Sequence, residues 1–174
     1  MRRFAILMSL TVAIVAAGIG NAGAVDYPIY GTGPVTISIV KKGGRLSFRA
    51  PWTVSKGARL RIVNTTADRH TFTLVKPGAV PRTKKQLRAC NLCRQIAVAH
   101  RYDAERDRIR KRVVDTGKEG WDKPTGTVGD SWYVDVKGKS HSRKVTAAKG
   151  TTLTFFCGVH PRMTGTIRVV AGAG

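Results

Sequence analysis

Short apolar runs broken by glycine turns organise the first half of the chain. "VTISIV" is a strand, "KKGG" a turn and "RLSF" the returning strand; "PWTVSKGARLRIVN" adds a strand, a Lys-Gly turn and a second strand with Leu60 and Ile62 on one face. After the polar stretch "TTADR" comes "HTFTLV", where Phe72 and Leu74 alternate with Thr71 and Thr73, the mark of a half-buried strand with His70 at its head. The far end repeats the pattern: "SRKVTAAKGTTLTFFC" is strand, turn and strand, and "GTIRVV" is a closing strand. Many short strands with glycine turns predict an all-β chain in a Greek-key sandwich.

A different segment lies between these blocks, at about 76–142. Thr83 to about Val114 carries neither glycine nor proline, and Leu87, Leu92, Ile96, Ala99, Ile109 and Val113 form an imperfect helical stripe. One or two basic helices are expected there, followed by glycine-rich loop and a strand at "SWYVDV". The sandwich and this partly helical insertion form a single domain over 25–174.

Residues 1–24 read as a leader. Arg2 and Arg3 precede an apolar stretch that ends in Ala22-Gly23-Ala24, a small-x-small cleavage pattern, so a secreted or periplasmic protein is expected. The arginine pair leaves general and twin-arginine export both open. No later apolar run approaches membrane-spanning length.

Charge and cysteine count sharpen this picture. A net charge of +21 demands anionic company. No nucleic-acid-binding motif is present, so the export signal directs attention to an acidic protein partner, anionic surface polymers or lipid headgroups. Three cysteines are an odd number for an oxidising compartment. If Cys90 and Cys93 pair, Cys157 is left free. Cys90, Cys93 and His100 share a helical face, which leaves three readings: a disulfide, a second metal site, or a redox-active thiol pair. Haem attachment is disfavoured, because Arg94 rather than histidine follows the second cysteine.

Metal ligation explains a free Cys157. In "FFCGVHPRM", Cys157, His160 and Met163 recur at every third position between two strands. A thiolate, an imidazole and a thioether suit copper, and a mononuclear electron-transfer site needs two imidazoles, one thiolate and a weak axial methionine. His70, His100 and His141 are the candidates for the second imidazole. His141 reads as an exposed loop residue and His100 as helical, whereas His70 starts a strand at one end of the sandwich. His70 is therefore the expected fourth ligand, and Pro161 and Gly165 stiffen and turn the loop around the others.

"VSKGARLRIVNTTADRHTFTLV" and "KVTAAKGTTLTFFCGVHPRMTGTIRVV" resemble the two halves of a cupredoxin, the blue copper family of plastocyanin, pseudoazurin and amicyanin, with a Cys-x-x-His-x-x-Met loop most similar to amicyanin. The resemblance implies one type 1 copper, His160 as the solvent-edge ligand and Met163 as the axial one. Many cupredoxins have Asn directly after the first histidine; Thr71 stands there instead, and its hydroxyl is expected to bond across to the ligand loop. Small cupredoxins also lack so long a basic segment before that loop, which could cover His160. A one-electron carrier with a redox partner protein is expected, not an enzyme, because protein fills all four positions. Copper storage or delivery through the same ligands is the alternative.

Overall fold

The computed structural model describes residues 34–117, 119–122 and 128–172; the expected leader lies outside the described residues. Two sheets form the body. The first has the order β10 (Ser140–Lys144), β4 (Arg59–Asn64), β1 (Val35–Lys42), β2 (Arg45–Arg49). The second runs β3 (Thr53–Ser55), β12 (Thr164–Val170), β11 (Thr152–Phe156), β5 (His70–Val75), β9 (Ser131–Val134), β8 (Val113–Val114). β1 pairs with β4 and β3 with β12 in parallel, and the chain crosses from one sheet to the other between β2 and β3, β3 and β4, and β4 and β5.

Period-2 alternation supplies the interface between the sheets. Ile37, Ile39, Leu60 and Ile62 from the first sheet meet Phe72, Leu74, Leu153 and Ile167 from the second in one core. Phe72 and Phe155 stack with ring centroids 4.9 Å apart, and Phe48 meets Phe155 edge-on at 5.1 Å. Gly165 is required here, because a Cβ would lie 2.3 Å from the Phe155 ring, its partner across the β11–β12 ladder.

The expected helical segment is helical only in its first half. Helices α1 (Lys84–Ala89) and α2 (Asn91–Ala99) are followed by a small hairpin, β6 (Tyr102–Asp103) with β7 (Arg108–Ile109), and by β8. Ile109 and Val113, read as helical, are strand residues. No glycine marks these turns in the sequence: Arg101 and Asp107 take left-handed φ values of 53° and 43°. Thr83 caps α1 with a reciprocal bond to Gln86. No helix among the described residues is long and apolar enough to cross a membrane.

This segment alters β5 as well. Its outer face was expected to meet solvent, yet every residue of β5 is buried. Leu92 and Ile96 of α2 pack with Val75 and Phe156 in a second apolar cluster on the far side of the sheet. Strand β9 and the first part of β10 fall within 76–142 but belong to the sandwich, so the added structure is shorter than that range. His141, expected in an exposed loop, is half-buried in β10 and stacks on Trp132 at 5.8 Å. Its alternation with exposed neighbours along β10 turns it towards the tryptophans.

Candidate metal centre

One strand and one loop deliver the four candidate donors to one end of the sandwich. His70 opens β5, Cys157 follows β11, and His160 and Met163 lie on the loop that leads into β12. The loop closes on itself: the Cys157 amide donates to the Met163 carbonyl at 3.0 Å, and the Met163 amide to the His160 carbonyl at 2.8 Å. Its shape is therefore held by backbone bonds.

Donor atoms of His70, Cys157 and His160 all lie within 4.8 Å of one another. Cys157 Sγ is 3.8 Å from His70 Nδ1 and 3.7 Å from His160 Nδ1. A metal with bonds of about 2.0 Å to nitrogen and about 2.3 Å to sulfur, at a trigonal angle, needs sulfur and nitrogen about 3.7 Å apart. The separations match that requirement. Met163 is buried beside this set, on the wall of a groove that His160 also lines.

The polar stretch before His70 sets its tautomer. The Thr66 hydroxyl donates to Asn64 Oδ1 at 2.9 Å, and Asn64 Nδ2 donates to the Asp68 carbonyl at 3.1 Å. With its one proton engaged, Thr66 Oγ1 accepts from His70 Nε2, 2.8 Å away. Proton and lone pair are thereby assigned: Nε2 carries the hydrogen, and Nδ1 points its lone pair at Cys157. Such an outer bond fixes ring orientation and raises ligand basicity. Asn64 and Thr66 are site residues that the sequence reading did not single out. Their signal was present as an Asn and a Thr six and four positions before the candidate histidine.

Burial keeps the donors in a state suited to metal. The His70 pKa falls to about 4, first because the ring is desolvated and then because His160 is adjacent. Desolvation also lowers His160, while nearby Asp68 pulls it back. Both rings are neutral at pH 7. Burial raises the Cys157 thiol, against the pull of the Thr71 amide, which donates to Sγ at 3.4 Å. A metal must displace that proton, so loading is coupled to proton release.

Thr71 does bond across to the loop: its Oγ1 accepts the Gly158 amide at 2.8 Å. Removing that acceptor with Thr71→Val should lower copper affinity about 10-fold to 100-fold and shift the copper potential. Metal titration and voltammetry check this; unchanged values would leave Thr71 a packing residue.

Cys90 and Cys93 form a disulfide. The alternative of a second metal site with His100 is not realised, because both sulfurs are committed and both His100 nitrogens are bonded elsewhere. His100 Nδ1 lies 2.6 Å from the Lys111 carbonyl and Nε2 lies 2.7 Å from Ser131 Oγ. Among the described residues, the copper-type cluster is the single convergence of three metal-binding side chains.

A two-sheet sandwich closing on a His-Cys-His-Met set at one end is the arrangement of a cupredoxin-like protein, and the set fits one type 1 copper. No family model and no curated protein sequence matches the chain. Among solved structures it is similar to a mutant of amicyanin in its reduced Cu(I) form (13% identity, 78% of this chain and 81% of that one, TM-score 0.42). It is also similar to a purple cupredoxin from Nitrosopumilus maritimus (12% identity, 78% and 98%, TM-score 0.40) and to auracyanin A, a blue copper protein from Chloroflexus aurantiacus (22% identity, 78% and 98%, TM-score 0.37). Likeness this remote adds nothing to what the strand order and donor geometry establish.

Proposed function

We propose that the chain is an extracytoplasmic one-electron carrier that would hold one copper through His70, Cys157 and His160, with Met163 as the fourth donor. The observation that carries this is the convergence of three donors within 4.8 Å, two of them fully buried, with the spare nitrogen of His70 already bonded to Thr66. Copper in such a set supplies a reversible Cu(I)/Cu(II) couple. The chain's own residues keep the geometry constant: backbone bonds close the loop, Thr66 holds His70, and Thr71 ties Gly158 to β5. A site that changes little between oxidation states exchanges electrons with little reorganisation. His160 is half-buried where the other donors are closed off, so its outer edge is the route for the electron. Four protein donors leave no position for a substrate. The leader pattern and the Cys90–Cys93 disulfide support an oxidising compartment.

Adding Cu(II) to the purified protein should give intense visible thiolate-to-copper absorption that saturates at one equivalent, with a potential stable on cycling. Colourless protein that binds no copper would sink the reading. Ready copper release to a chelator with slow self-exchange would instead support storage or delivery.

A further inference from the structure

Lysines and arginines are common over the whole surface, but they are not all alike. In and around the β6–β7 hairpin, cations are neutralised locally: Arg106 and Arg110 pair with Asp103, Arg69 with Asp107, and Arg112 with Asp135. Elsewhere Arg143 pairs with Asp115 and Lys41 with Asp68. The remaining lysines and arginines are in no ion pair among the described residues, and four of them are gathered at one place. Arg45 at the start of β2, Lys84 and Arg88 on α1, and Arg162 on the ligand loop line one open groove of about 830 Å³, and no carboxylate lines it. None of the four is in an ion pair among the described residues.

The groove lies against the candidate copper centre. Its lining includes His160 and Met163, and Val159 and Leu87 face it with apolar surface. Lys84 and Arg88 stand four residues apart on α1, so both project from one helical face, with Leu87 beside them. Val159 is 45% exposed, an apolar side chain left in water directly before the half-buried histidine. The added segment therefore does not cover His160. Its first helix builds one wall of a channel that leads to it.

From this placement we infer that the groove is the docking seat of the electron-exchange partner, and that the partner presents an acidic segment with at least one aliphatic side chain. The inference rests on the proposed copper reading and names the partner chemistry of that site. Four uncompensated cations around an apolar strip repel cationic surfaces and attract carboxylates, while an aliphatic side chain gains by covering Val159 and Leu87. The groove is too large for one small anion to fill, and its cations are distributed over three elements, as an extended segment requires.

The test uses a fluorescein-labelled peptide, Asp-Glu-Leu-Glu-Asp, and the full chain in metal-free and copper-loaded forms. Anisotropy gives the affinity, and amide shifts give the location. Lys84→Glu with Arg88→Glu should weaken binding by about tenfold or more. Lys56→Glu with Lys149→Glu changes the net charge equally in turns at the opposite end of the sandwich and should cost less than about twofold. Amide shifts should fall on Leu87, Val159 and His160. Equal losses in the two double variants would overturn the seat in favour of general charge attraction, as would no loss in either. Binding of phosphatidylglycerol vesicles that depends on Lys84 and Arg88, with no peptide binding, would assign the groove to lipid instead. Anisotropy needs no blue colour, so a colourless protein overturns the copper reading without deciding the groove, and a blue protein that fails the peptide test does the reverse.

Discussion

Replacing Cys157 with serine is expected to abolish the thiolate-to-copper absorption completely and to lower copper affinity by more than about 100-fold, the upper range for loss of an outer-sphere partner. A hydroxyl is a hard, weakly acidic donor, whereas the thiolate is the soft ligand on which the colour depends. The fold should survive, because serine is smaller than cysteine and the Thr71 amide that now meets Sγ can meet a hydroxyl. Met163→Leu should keep the colour and move the potential, since an axial thioether binds weakly. Serine at both Cys90 and Cys93 should also keep the colour, because that disulfide contributes no donor to the cluster. A Cys157→Ser protein that turns blue with one equivalent of copper would refute the assignment.

The second large effect is structural and lies at His100. The Lys111 carbonyl can only accept, so Nδ1 carries the ring proton; Nε2 then accepts from Ser131, whose oxygen accepts from the Thr73 hydroxyl 2.6 Å away. This buried chain fastens the end of α2 to β9 and β5. His100→Ala leaves a carbonyl and a hydroxyl pair without their partner and opens a cavity, which should cost about 3–5 kcal/mol. Urea unfolding measures it.

Titration gives the same residue a pH signature. Burial lowers the His100 pKa below its ordinary value, so the folded protein resists a proton that the unfolded chain accepts. Its contribution is fully present above about pH 6.5 and declines as pH falls below that value towards the folded pKa. The stability gap between wild type and His100→Ala should therefore narrow from pH 7.5 to pH 5. Asp130 works in the opposite direction: desolvation raises it to about 7, so its contribution is lost as pH rises through that value. Asp130 is common to both proteins and cancels in the difference. A gap that is constant or widens in acid would mean that His100 is not held neutral.

Strand content and the donor loop were legible because their signals are local. Alternation in "HTFTLV" and "TLTFF" marks one face of a strand whatever the partner, and the spacing of Cys157, His160 and Met163 survives in any short loop between adjacent strands. The hairpin after α2 was not legible, since Arg101 and Asp107 turn the chain with neither glycine nor proline to break the helical pattern. The burial of His141 was not legible for a related reason: a polar neighbourhood says nothing about which face of a strand meets two tryptophans.

By itself the sequence determined the all-β character, the odd cysteine, the excess positive charge and a copper-suited set of residue types, because periodicity, counting and ligand chemistry need no partner. Only the tertiary structure decided that His70 Nδ1 faces Cys157, that Cys90 and Cys93 bond to each other while His100 serves the fold, and that α1 raises a wall of unpaired cations beside His160. Each of these depends on atoms brought together from distant parts of the chain, and proximity of that kind is created by packing.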